Sequence, residues 1–486
     1  MAASFLFYDL ETFGTDPRRT RIAQFAALRT DAELRMIDEP LSFFVKPADD
    51  LLPSPAATLI TGITPQRALA EGVNEAEAFA RIFDEMARPE TCTLGYNSLR
   101  FDDEFVRHGL FRNFFDPYER EWRGGNSRWD LLDALRLMHA LRPDGVQWPL
   151  REDGAVSFRL EHLAELNGVR DGDAHEALSD VYATVGMARA MRRAQPRLWE
   201  YALQLRDKRF AARLLDCVAM QPVLHVSQRY PASRLCAAPV LPLCRHPRYD
   251  NRVVVFDLDG DVDALLELPA EQIAHRLYTP AAELPEGQAR IPLKEVHLNK
   301  APALVAWSHL RPADFERLRI DPARVERTAS RLRGQAPALA EKIRQVFADT
   351  REHPPADADA SLYAGFLADG DRRRFAEVRA TPPEALGTRA FAFSDARLPE
   401  LLFRYRARNW PQSLTPQERA RWDDYRRLRL EQDSGLSEYG LSGFDAEIAA
   451  LRAAHAGDTR QAALLDALQA WGDGLREGLR PTAIAH

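Results

Sequence analysis

The sequence is poor in cysteine. Four thiols, Cys92, Cys217, Cys236 and Cys244, are scattered through 486 residues. They form no C-x-x-C pair and no zinc-ligand spacing. This excludes a disulfide scaffold and fits a reducing compartment. Cys244-Arg245-His246 brings two metal-binding side chains together, but two ligands are not a site, and ordinary packing explains them. Long apolar runs are also missing: none is long enough to span a bilayer, so no membrane association is expected. Asp9 and Glu11 come too early for a secretory signal, and a cytoplasmic protein is expected. There is no excess of positive charge, the formal total being −7. A global basic field for nucleic acid is excluded, although a basic cleft on an acidic protein is not. No internal repeat is found.

What the chain does have is length, and two to four domains are expected from it. Hydrophobic content of 45% and charged content of 28% are those of a globular protein. The first part alternates strand and helix patterns. FLFYDLE, RIAQFAALRTD, SFFVKP and TCTLGYN read as strands. NEAEAFARIFDEMAR, RWDLLDALRLMHAL and HEALSDVYATVGMARAM read as amphipathic helices. The mixture predicts an α/β or α+β sheet domain ending near Gln195-Pro196. From about Pro222 to Trp307, VLHVS, RVVVFDLDG and LKEVHLNKAPALVAW predict short strands in a small β-barrel or sandwich. Beyond about Arg311, ARVERTASRLRG, LAEKIRQVFAD, DRRRFAEVRA, PQERARWDDYRRLRLEQD and QAALLDALQAWGDGL predict helices. EHPPADADAS reads as a linker.

The chemistry is carried by carboxylates. On a strand, Asp9 and Glu11 point to one face, where like charges repel unless a cation lies between them. LGYNSLRFDDE takes a short strand into a helix that begins near Asp102, a candidate N-cap or first-turn acid and a candidate ligand as well. In DAHEALSD, His175 and Asp180 lie five residues apart, about 140° around a helix. They reach one site only if His175 precedes the helix or sits in its first turn, with Asp180 one turn in. Asp9, Glu11, Asp102 and Asp180 together offer four hard oxygen ligands of the kind magnesium prefers. Two such ions about 4 Å apart suit an in-line phosphoryl displacement. His175 suits proton abstraction from the attacking water near pH 7.

These motifs, D-x-E, N-x-x-x-F-D and H-x-x-x-x-D in that order, resemble the DEDDh class of 3′–5′ exonucleases. FLFYDLETFGTDP, IAQFAALRTD, KPADDLLPSPAATLITGITPQ, LGYNSLRFDDE, NSRWDLLD, SFRLEHL, AHEALSDVYAT and LLFRYRARNWP extend the likeness to the bacterial exodeoxyribonuclease I family over nearly the whole chain. The resemblance implies an α/β multidomain protein. Its parts would be an RNase H-like exonuclease domain over 1–190, an SH3-like β domain with flanking helices over 196–350, and a C-terminal helical domain over 352–486. It implies processive 3′–5′ digestion of single-stranded DNA to 5′-mononucleotides with Mg2+, for which Mn2+ is a possible substitute. Asp9, Glu11, Asp102 and Asp180 would ligate the metal, Glu11 would also lie close to the terminal nucleotide, His175 would be the general base, and Arg159 would contact substrate. It further implies docking of the acidic, hydrophobic C-terminal tail of single-stranded-DNA-binding protein, with Arg142, Tyr201 and Arg311 at the positions of its basic and aromatic pocket. A monomer is expected, as is a role in DNA repair and recombination.

A processive enzyme needs bases stacked on aromatic faces and phosphates held by basic groups. Tyr118, Trp122 and Tyr363 are the aromatic candidates, and the interleaved RYRARNW run of Arg404–Trp410 is a candidate groove. RVVVFDLDGD mimics the opening of haloacid-dehalogenase phosphohydrolases, but Asp261 follows the glycine, and an Asp-Gly turn closing a hairpin is the better reading. An RNA 3′ exonuclease and a catalytically dormant binding module are the remaining rivals. The long β and helical additions argue against the first, and the complete carboxylate set argues against the second.

Overall fold

The computed structural model describes residues 3–170, 176–348, 357–432 and 434–480. The chain divides into two compact units, one of Met1–Ser127, Asp171–Tyr182 and His353–His486, the other of Arg128–Arg170 and Ala183–Glu352. Among the described residues no helix is long and apolar enough to cross a membrane.

The first unit is built on β1 (Ser4–Thr12), β2 (Ile22–Thr30), β3 (Leu41–Phe44) and β4 (Thr91–Gly95), the strands expected from the sequence. β1 is central, antiparallel to β2 and parallel to β4, with β3 outside β2. Strand alternation sends Leu6, Tyr8 and Leu10 into one core with Phe79, Ile82 and Met86 of helix Glu75–Met86 and with Phe105 and Leu110 of helix Asp102–Arg112. Asp9 and Glu11 therefore leave from the opposite face. Asn74 caps the first of these helices by accepting from the Glu77 amide, and Glu75 and Glu77 place acid in its first turn. The helices cross where Gly109 meets Phe79: a Cβ on Gly109 would lie 1.8 Å from the ring, so only glycine permits the approach.

The C-terminal helices belong to this same unit. Leu52 packs with Leu430, Phe444 and Leu468, while Phe111 and Phe114 pack with Phe375, Leu401 and Tyr405. Two readings of the sequence are corrected here. The RYRARNW arginines do not form a solvent-exposed basic groove: Arg404 and Arg406 are buried on helix Leu398–Asn409, and Arg408, its side chain 4% exposed, lines a pocket beside the acids Asp49 and Glu75. Arg404 and Arg408, one helical turn apart, both grip Asp359, Arg404 also holds Asp357 and Arg408 also holds Asp50, while Arg406 holds Glu418. EHPPADADAS is not merely a linker either. Up to residue 356 it lies outside the described residues, but Asp359 is buried, and although burial alone would raise its pKa, Arg408 and Arg404 hold it well below the carboxylate range.

β5 (Ser127–Asp130) carries the chain into the second unit. Helix had been expected from RWDLLDALRLMHAL onward, but the extended backbone persists through Asp130. That side chain then accepts from the Leu132 amide and starts helix Leu131–Leu141. The second unit holds β6 (Val223–Val226), β7 (Ala237–Arg245), β8 (Arg252–Asp257), β9 (Leu293–His297) and β10 (Ala303–Ala306), in the order β10-β6-β7-β8-β9 and antiparallel throughout. The hairpin reading of RVVVFDLDGD is corrected as well. Asp261 caps helix Val262–Glu267, a second helix spans Ala270–Tyr278, and only then does β9 return. Asp257 and Asp259 are both engaged by Arg234, and β8 pairs antiparallel with β9, which leaves nothing of the phosphohydrolase arrangement. Cys244 is buried, and burial pushes its thiol up to about 12.

Candidate active site

Asp9 and Glu11 occupy the end of β1, next to a register irregularity between Glu11 and Thr12. Asp180 comes from the first turn of helix Ala177–Ala194. One carboxylate oxygen each from Asp9, Glu11 and Asp180 lies within 4.8 Å of the others, and this is the one group of potential metal ligands of its kind among the described residues. Asp102 begins helix Asp102–Arg112. It falls outside the 4.8 Å group, yet it is the largest neighbouring charge acting on Asp9 and the second largest on Glu11. His175 lies outside the described residues; the helix that carries Asp180 begins at Ala177.

Electrostatics show what this cluster calls for. Burial first, then the charges of Asp102, Glu11, Asp180 and Glu176, raise the pKa of Asp9 well above its ordinary value. Burial and the charges of Asp180, Asp102 and Glu176 push Glu11 up to about 9. Carboxylates this close, Glu11 buried and Asp9 and Asp180 half-buried, are stable as anions only with positive charge among them. The donors are all hard oxygens, and oxygens sharing one octahedral ion with bonds of about 2.1 Å stand on the order of 3–4 Å apart, a spacing this group can reach. The residues fit a hard divalent cation.

Two residues the sequence reading passed over complete the surroundings. Glu176 accepts from the Ser179 amide at 2.8 Å, capping the Asp180 helix, and from Gln24 at 3.3 Å. Gln24 is the β2 partner of Glu11. The E-x-x-S spacing at the helix start was the available signal. Glu438 accepts from the Thr15 amide at 2.8 Å and the Asp16 amide at 2.5 Å, clasping the loop that leaves β1. A Cβ on Gly14 would lie 2.3 Å from the Glu438 carboxylate and would push that side chain aside. No local pattern around Glu438 announces the role.

The remaining expected residues fall into separate groups. In the first unit, Arg107 of helix Asp102–Arg112 lies over the Tyr118 ring at 5.4 Å and donates to the Tyr363 hydroxyl at 3.3 Å, so both aromatics touch one guanidinium. Tyr118 is half-buried; Tyr363 and Trp122 present exposed faces. In the second unit, Arg142 and Arg311 converge on the Asp314 carboxylate. Tyr201 donates to the Leu304 carbonyl at 2.9 Å and meets the His309 ring edge-on. Arg159 is an exposed residue at the start of helix Leu160–Leu166, 3.8 Å from Glu161.

Comparison with known proteins decides the family. Three family models match: "Exonuclease" over residues 6–187, "Exonuclease I SH3-like domain" over 206–349 and "Exonuclease I C-terminal domain" over 356–475. Exodeoxyribonuclease I of Escherichia coli (strain K12) is 45% identical over 467 residues, 96% of this chain and 97% of that one. The chain belongs to the exodeoxyribonuclease I family. It therefore has the exonuclease, SH3-like and C-terminal parts of that family's fold, and it is an exonuclease by membership. The structure of a moderately thermophilic exonuclease I from Methylocaldum szegediense superposes with a TM-score of 0.93 at 49% identity, covering 97% of this chain and 99% of that one. The zinc ion-bound form of an E. coli exonuclease I complex with single-stranded DNA superposes at 0.93 with 44% identity, covering 98% and 100%. The family and the donor set agree on a divalent cation.

Proposed function

We propose that this protein is a processive 3′–5′ exonuclease that degrades single-stranded DNA to 5′-mononucleotides, and that it does so with two Mg2+ ions. The observation that carries the reading is the meeting of Asp9, Glu11 and Asp180, drawn from segments about 170 residues apart, within 4.8 Å. The E. coli relative has been solved with single-stranded DNA, which supports the choice of substrate.

Asp9, Glu11, Asp102 and Asp180 hold the cations, which when bound supply the positive charge that polarises the scissile phosphate and its attacking water. The β1 scaffold, buried on both sides, fixes Asp9 and Glu11. Asp180 is aimed by a helix whose first turn Glu176 closes. Glu11, the more buried of the β1 pair, also bounds the space for the 3′-terminal nucleotide. His175 takes the proton of the attacking water, an assignment that rests on the family likeness. Tyr118, Trp122 and Tyr363 stack bases leading to the site, and Arg159 contacts the strand. Arg142, Tyr201 and Arg311 receive the tail of single-stranded-DNA-binding protein, the two arginines for its terminal carboxylate and the tyrosine as an apolar shelf. The enzyme acts as a cytoplasmic monomer in DNA repair and recombination.

The test uses 5′-labelled single-stranded DNA, blunt duplex DNA and single-stranded RNA with Mg2+, each with and without chelator. Chelator-sensitive shortening of the single-stranded DNA from its 3′ end, with duplex and RNA spared, is expected. Asp180→Ala should abolish it while the chelated protein still binds the strand. Preferential loss of RNA, or full activity of Asp180→Ala, would overturn the reading.

A further inference from the structure

Directly beneath the carboxylates lies a buried polar group with no part in the chemistry above. The Tyr8 hydroxyl donates to Asp103 Oδ1 at 2.7 Å. Arg120 Nη2 donates to the same oxygen at 2.5 Å, and Arg120 Nη1 donates to Thr93 Oγ1 at 3.3 Å. The Arg120 and Asp103 side chains are 0% and 1% exposed, and Tyr8 is packed in the core beside Phe25. A buried ion pair is weak evidence for stability, because apolar residues of like volume commonly do as well. Its location offers a better reason for it.

Each member neighbours part of the site. Tyr8 precedes Asp9 on β1 and Asp103 follows Asp102 at the start of its helix. Thr93 lies on β4, the parallel neighbour of β1. Arg120 sits in the short turn Glu119–Glu121, between Tyr118 and Trp122. Alternation places Tyr8 on the face of β1 opposite Asp9, and successive helical residues diverge by about 100°. The network thus grips β1 and the helix from the core side, leaving Asp9 and Asp102 on the other. Those two carboxylates repel, and Asp102 is the largest neighbouring charge on Asp9. A hydrogen bond between their sequence neighbours opposes that spreading with one short, dry contact, and charge-assisted bonds of this kind are the strong ones.

We propose that Tyr8, Asp103 and Arg120 form a positioning unit that sets the spacing of Asp9 and Asp102, and through it the affinity for the divalent cation. The inference rests on the reading of Asp9 and Asp102 as cation ligands. The experiment measures Mn2+ binding to the DNA-free protein by electron paramagnetic resonance, for the unaltered chain, Asp102→Asn, Tyr8→Phe and Arg120→Lys. Tyr8→Phe should weaken Mn2+ binding about tenfold, roughly 1.4 kcal/mol for the lost hydroxyl contact. Its affinity for single-stranded DNA in chelator should be unchanged. A folded Tyr8→Phe protein that binds Mn2+ within about twofold of the unaltered chain, whatever its unfolding midpoint, overturns the proposal. If Tyr8→Phe does not fold, Arg120→Lys decides: it keeps the charge but loses the two-pronged grip, so weakened Mn2+ binding supports the unit and unchanged binding overturns it. If Asp102→Asn binds Mn2+ as tightly as the unaltered chain, the ligand reading itself fails and takes the proposal with it.

Discussion

Glu11 makes the stability of the chelated enzyme depend on pH in an unusual direction. Its pKa is pushed up to about 9 in the fold, by burial and then by Asp180, Asp102 and Glu176, against an ordinary value of 4.5. Between those values the folded state keeps a proton that the unfolded state has released. Stability is then highest below about pH 4.5 with respect to this group and falls as pH rises toward 9. The slope is about 1.4 kcal/mol per pH unit for one proton, or about 2.7 kcal/mol between pH 6 and pH 8. Glu11 is only 8% exposed, so little solvent screening is to be discounted. Other groups titrate in the same range, and the informative quantity is therefore a difference. Urea unfolding in chelator at pH 6 and pH 8, for the unaltered chain and Glu11→Gln, isolates it. The unaltered protein should lose about 2–3 kcal/mol more than Glu11→Gln across this interval, and saturating divalent cation should remove the difference. Equal slopes in chelator would refute the account of a crowded, cation-dependent carboxylate cluster.

Two further outcomes follow from charges placed elsewhere. Asp359→Asn removes the anion shared by the buried Arg404 and Arg408 and should cost about 3 kcal/mol or more, read as a lower urea midpoint of the first unit. Arg311→Ala and Arg142→Ala should each weaken binding of a peptide with an acidic, hydrophobic C-terminal tail, measured by fluorescence anisotropy. Digestion of naked single-stranded DNA should stay unchanged, and equal peptide affinity would remove both residues from that surface.

Much of the nuclease scaffold was legible because its signals are local. The strand character of FLFYDLE and the period of two fixed the face from which Asp9 and Glu11 emerge. The helical spacing of Phe79, Ile82 and Met86 fixed what covers the other face. Asp180 was legible as a residue one turn into a helix starting near the glycine and aspartate at 172–173, whereas the described helix begins at Ala177 and so has Asp180 in its first turn. What failed to be legible depends on partners far away in the chain. Arg404, Arg406 and Arg408 looked like a basic groove because sequence does not say whether a guanidinium meets water or a buried acid. Here the acids, Asp50, Asp357, Asp359 and Glu418, come from three other segments. Glu176 was hidden beside more conspicuous neighbours, and Glu438 has no local pattern at all. The helices between β8 and β9 were missed because a β-rich stretch on either side outweighed a short capped segment beginning at Asp261.

The clasp of Glu438 on Thr15 and Asp16 joins residues 423 and 422 positions apart. A ribosome adding about 5–20 residues per second needs roughly 20–85 s to make the intervening chain. For that interval a nascent polypeptide already carries Asp9 and Glu11, and soon Asp102 and Asp180, while the side chain that closes the loop behind β1 does not yet exist. Closure of the loop behind β1 thereby waits for the synthesis of Glu438.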